Sequence, residues 1–122
     1  MPSIVVNKSA TLKGHNDCIY TLEKGMNENE FFSGAGDGMV ARWNLDDPEN
    51  GQLVIKVPNS VYAVALDQHY LFVGNNFNGI HKVDLLSGKE VLSASITEAA
   101  IFAIAETNGK LIIAMGDGVV KI

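Results

Sequence analysis

Ile19-Tyr20-Thr21-Leu22, Val61-Tyr62-Ala63-Val64 and Ile101-Phe102-Ala103-Ile104 are three versions of one tetrapeptide: aliphatic, aromatic, small, aliphatic. They recur at intervals of 42 and 40 residues. A second marker keeps the same spacing. Asp37-Gly38, Asn78-Gly79 and Asp117-Gly118 lie 41 and 39 residues apart, and such dipeptides favour hairpin turns because both residues tolerate positive φ. Around these markers the apolar pattern has a period near two, interrupted by Gly, Asn, Asp and Pro, as strands joined by tight turns require. Twelve strands are expected, over residues 4–12, 18–23, 30–34, 39–44, 52–57, 61–66, 70–74, 80–84, 90–96, 101–106, 110–115 and 119–122. Residues 99–106 also fit a short helical stripe, but their neighbours favour a buried strand.

Four strands per unit of about 40 residues is the arithmetic of a β-propeller blade, a periodicity that a sandwich lacks. The fold class is therefore all-β, a propeller segment of three blades. The first unit carries a more specific pattern: Gly14-His15 before its first strand, Ser33 on the second, Asp37 in the next turn and Trp43-Asn44 on the third. These residues resemble the WD-repeat β-propeller family. The resemblance implies a buried hydrogen-bond chain of His15, Asp37, Ser33 and Trp43. An imidazole, a carboxylate, a hydroxyl and an indole N–H can satisfy one another in sequence. The other units depart from the pattern. The second has Pro58-Asn59 near the Gly-His position, Val73 near the Ser and Val83-Asp84-Leu85 in place of Trp-Asp-Leu. The third has Thr97-Glu98, and Met115 or Ala114 near the Ser. Those blades are expected to hold by apolar packing. Residues 80–91 also look like quinoprotein-type propeller repeats, which implies an enzyme or cofactor-binding propeller as the alternative.

The repeats divide the chain into units of about 14–57, 58–96 and 97–122, with a further strand over residues 3–12. Counting from Gly118, the equivalent of Trp43 would be residue 123, so the third unit lacks a fourth strand within this sequence. In closed WD-repeat propellers an N-terminal strand completes the last blade. The expectation is that the strand over 3–12 does so in trans, giving a homodimer of six blades and no stable monomer. A complementing half from another polypeptide, or a fragment of a longer propeller, are the other readings.

Hydrophobic residues make up 47% of the 122, and nine Lys plus Arg against fourteen Asp plus Glu give a net charge of −5. That balance argues against nucleic-acid and anionic-membrane partners. The longest apolar run, residues 99–105, is far shorter than the roughly 20 residues of a membrane span. One cysteine, Cys18, cannot form an internal disulfide, which points to a reducing, cytoplasmic setting, and it is expected to be a small buried hydrophobe. His69 and His81 lack neighbours at metal-ligand spacing, and no catalytic constellation, metal site or cofactor site is expected. The preferred function is a non-enzymatic scaffold for protein–protein interaction. The family places its binding loops on one face, here residues 15–17, 36–38, 58–60, 75–78, 97–99 and 116–118. Asn16, Asp17, Asn76, Phe77, Glu98 and Asp117 are the partner-binding candidates. Phe77, in a polar turn, either packs on a neighbouring blade or meets the partner.

Overall fold

The computed structural model describes residues 11–75, 79–95, 99–118 and 120–121. Every regular element among them is a strand. The first sheet comprises β1 (Ile19–Lys24), β2 (Glu30–Ala35), β3 (Met39–Asn44) and β4 (Gln52–Lys56). The second comprises β5 (Val61–Asp67), β6 (Tyr70–Asn75), β7 (Ile80–Asp84) and β8 (Lys89–Ala94). The third holds β9 (Ile101–Thr107), β10 (Lys110–Met115) and β11 (Val120–Lys121). In each sheet the spatial order follows the chain and all pairs are antiparallel. Residues 99–106 are strand rather than helix over most of their length. The expected strand over 4–12 lies largely outside the described residues, and Thr11 and Leu12 are not in a strand.

The turns explain the Asp-Gly spacing. Gly38 donates its N–H to the Ala35 carbonyl at 3.1 Å with φ +79°, and Gly118 donates to Met115 at 3.2 Å with φ +83°. Each is a tight turn closed by a left-handed residue, where a side chain would be strained. A Cβ on Gly79 would lie 2.5 Å from Asn75 Oδ1, so close approach calls for glycine there. At the opposite end of the third sheet, Asn108 (φ +51°) and Gly109 (φ +75°) form a two-residue hairpin turn, and Gln68 (φ +55°) stands 40 residues earlier in the matching turn between Asp67 and Tyr70.

The tetrapeptide has a structural cause. Ile19 lies opposite Ala35 and Thr21 opposite Gly34, leaving Tyr20 as an extra residue in the strand. Tyr62 and Phe102 are extra in the same way. Each is a β-bulge, which bends the strand and turns its extra side chain out of the alternation. Strands β1, β5 and β9 stand side by side. Their bulged rings touch in series, Tyr20 to Tyr62 at 4.8 Å between centroids and Tyr62 to Phe102 at 5.2 Å. The three sheets thus radiate from a common inner line.

Alternation within each strand makes both faces of the middle sheet apolar. Phe32 and Val40 of the first sheet pack with Val61, Val64, Leu71 and Val73 of the second. On the other side Ala63 and Ile80 pack with Ile101, Ile113 and Met115 of the third. Burying each large aliphatic side chain contributes roughly 1.5–3 kcal/mol, and these two joints hold most of the core.

Candidate interaction surface

The first unit builds its loops around one carboxylate. His15 Nδ1 lies 3.1 Å from Asp37 Oδ2, and His15 Nε2 lies 2.6 Å from Ser33 Oγ. The Trp43 indole N–H donates to the same Ser33 oxygen at 2.7 Å. Because a carboxylate can only accept, the Nδ1 atom of His15 carries the proton and Nε2 accepts from the Ser33 hydroxyl. Each group then has a partner. Asp37 also accepts from the backbone N–H groups of Asn16 and Met39, both at 2.9 Å. Burial pushes the Asp37 carboxyl up, but those two N–H groups and His15 outweigh it and hold it below its ordinary value.

The sign of the resulting pH dependence is fixed. A carboxyl whose folded pKa is depressed adds stability above its unfolded pKa and loses it as pH falls through the folded value. The stability advantage of the wild type over Asp37→Asn is therefore largest at neutral pH and disappears in acid below the ordinary carboxylate range. Urea titrations of both proteins from pH 7 to pH 3 check this; a constant difference contradicts it.

This network seats one loop on another. The Gly36 N–H donates to the Cys18 carbonyl at 2.9 Å, and a Cβ on Gly36 would fall 2.8 Å from the Asp17 carboxyl. The Ser60 hydroxyl donates to the Gly36 carbonyl at 3.2 Å, and the Val57 N–H donates to Gly38 at 2.8 Å. Loops 15–17, 36–38 and 58–60 are thereby joined at one end of the sheets. Asn16 and Asp17 are exposed there, with Asp17 capping the Cys18 N–H at 2.7 Å. Asp117 is exposed on the corresponding turn of the third sheet. Asn76, Phe77 and Glu98 lie outside the described residues. Across the molecule, Asp46, Asp47, Glu49 and Asn50 are exposed, with Asn50 bonded to Asp47 at 2.9 Å.

Several expectations need correction. Cys18 is exposed, not buried, because it precedes β1 on the side where no described sheet covers the first blade. Register places Ile113, not Met115 or Ala114, at the position of Ser33: Ser33 lies opposite Leu22, and Ile113 lies opposite Ile104. Counting back from Tyr62, Val57 rather than Pro58-Asn59 stands where His15 does. Val57, Val73 and Val83 are all buried, so three valines replace His15, Ser33 and Trp43 in the second unit. Each remaining histidine faces a carboxylate, His81 Nδ1 at 2.9 Å from Glu90 and His69 Nε2 at 3.9 Å from Asp84. Among the described residues no three His, Cys, Asp or Glu side chains gather as metal ligands.

The aromatic row was visible in the sequence only as a period marker. That Tyr20, Tyr62 and Phe102 are in ring contact follows from the shared bulge, which one strand's alternation cannot reveal. Partial burial, then the neighbouring Cys18, Tyr62 and Asp17, raise the Tyr20 phenol above its ordinary value.

The chain superposes on the WD40 β-propeller domain of Doa1 with a TM-score of 0.81 at 23% identity, covering 93% of this chain and 40% of that one. The fold is that of a WD40 propeller segment. The computationally designed Ika8 protein matches with a TM-score of 0.72 at 22% identity, covering 90% of this chain and 34% of that one. The chain thus spans between a third and two fifths of these two solved chains. No protein-family model matches it, and no curated protein does. Among the described residues no helix is long and apolar enough to cross a membrane.

Proposed function

We propose that this propeller segment is a non-enzymatic scaffold that binds a protein partner through the loop end carrying Asn16, Asp17 and Asp117. One observation carries the reading. The buried His15–Asp37–Ser33–Trp43 chain spends its polar groups on holding loop 15–17 against loop 36–38, and leaves Asn16 and Asp17 outermost. Loops held on a rigid scaffold are where binding concentrates. Preorganisation lowers the ordering cost of association. Propeller scaffolds of this kind also need their end blades covered. A closed six-bladed ring formed from two copies in a reducing, cytoplasmic setting completes the proposal.

Asp17→Lys tests the loop face. It reverses an exposed charge, so the melting temperature stays within a few degrees while partner capture by the immobilised protein falls. Asp47→Lys, at the opposite end, leaves capture unchanged. Equal capture by both variants contradicts the proposal.

A further inference from the structure

The chain contains three Asn-Gly pairs, and the structure holds two of them in opposite ways; Asn78 of the third lies outside the described residues. Asn50 is tied down. Its side-chain N–H group donates to Asp47 Oδ1 at 2.9 Å and to Oδ2 at 3.1 Å. The glycine after it is crowded, since a Cβ on Gly51 would fall 2.6 Å from the Trp43 ring. Asn108 is exposed, and among the described residues its carboxamide has no such tether. A Cβ on Gly109 would meet nothing within 4 Å. The peptide joining them is restrained by the Gly109 N–H, which donates to Glu106 Oε1 at 2.9 Å. This exposure belongs to the turn and not to the edge of the arc. Gln68 is exposed in the matching turn of the second sheet, which has a sheet packed on each face.

We propose that Asn108 is a site of self-modification, closing to a succinimide with Gly109 in the folded protein while Asn50 is spared. The Gly109 nitrogen attacks Asn108 Cγ. A new C–N bond forms, and the carboxamide nitrogen leaves as ammonia with the proton that Gly109 gives up. Water then opens the ring at one of its two carbonyls. One opening yields aspartate; the other yields isoaspartate, whose backbone runs through the side chain and is one carbon longer. The ring needs the Gly109 nitrogen on the Cβ side of Asn108, the ψ of about −120° that a type II′ turn has at its first central residue. A type I′ turn shares the φ of about +60° there but has a ψ of about +30°. Asn108 already stands at φ +51°, so flipping one peptide plane brings the nitrogen to Cγ. Glu106 resists the flip, because the N–H would leave its carboxylate. Each conversion adds one negative charge to the net −5. The longer isoaspartate backbone no longer fits a two-residue turn, so the β9–β10 hairpin loosens. The turn lies at the opposite end of the third sheet from Gly118, so partner binding at the loop end is a separate claim.

The test follows the 122-residue chain as it ages at neutral pH, with tryptic peptides read by mass spectrometry. Asn108 is the only asparagine on peptide 90–110, and Asn50 lies on peptide 43–56. Conversion adds about 1 Da, the exchange of an amide NH2 for OH, and isoaspartate separates from aspartate by retention. In the folded chain Asn108 converts several-fold faster than Asn50; in urea, where the turn is gone, the two convert at similar rates. Glu106→Ala speeds conversion at Asn108 about threefold by removing the bond that resists the flip. Circular dichroism verifies that this variant remains folded. Equal rates at the two asparagines in the folded chain overturn the proposal. So does a folded-state ratio that persists in urea, which would assign the preference to flanking sequence. A folded Glu106→Ala protein whose Asn108 converts more slowly overturns the peptide flip, since the carboxylate would then assist the attack.

Discussion

Trp43→Phe lowers the unfolding free energy by about 1–3 kcal/mol in a urea titration. Phenylalanine retains an aromatic ring in the buried site but no indole N–H, and Ser33 Oγ loses a donor now 2.7 Å away. Ser33 is itself buried, so no solvent replaces that donor. His15→Ala costs a similar amount, because it strips one partner from Ser33 and one from Asp37. The double variant costs less than the two changes summed, since the second removal finds the chain already broken. Strict additivity contradicts a shared network. Val83→Ala, at the position of Trp43 in the second blade, behaves as an ordinary core truncation and shows no coupling to His15.

Gly74→Ala lowers stability by about 1–3 kcal/mol through overpacking. The added methyl would lie 2.6 Å from Ile101 Cγ2 and 3.0 Å from its Cβ, atoms on a stiff branched side chain. Gly34→Ala acts alike at the other joint, where the methyl meets Val61 Cγ1 at 2.5 Å. These two substitutions sit in different joints and meet different side chains, so their costs add to within about 0.5 kcal/mol. Denaturant titration of the single and double variants checks this. Neutral substitutions would mean that the sheets stand further apart than the structure shows. The contrast with the non-additive polar chain separates the two devices that hold the arc together: one connected network in the first blade, and close approach at each joint.

The fold was legible in the sequence because the first and third units repeat their turn and all three repeat their bulge. Asp37-Gly38 and Asp117-Gly118 mark turns that need a left-handed residue, and the tetrapeptide marks the strand where the aromatic is extra. The polar chain was legible for a different reason: four residue types with complementary donors and acceptors fell at fixed spacing in one unit. Where it is replaced by apolar residues, spacing alone misled. Ile113 looks like any core residue in sequence, and only cross-strand register shows that it takes the place of Ser33, whereas Val57 is found by counting back from the bulged Tyr62. Cys18 was misread because its apolar character suggests burial, whereas exposure depends on what lies beyond the sheet.

The proposed pairing of two copies into one ring is tested by light scattering at micromolar concentration. A single species of about 26 kDa, twice the 13.1 kDa chain, with the all-β circular dichroism of a folded protein, is the expected result. A folded, monodisperse species of about 13 kDa, the mass of one chain, would contradict it.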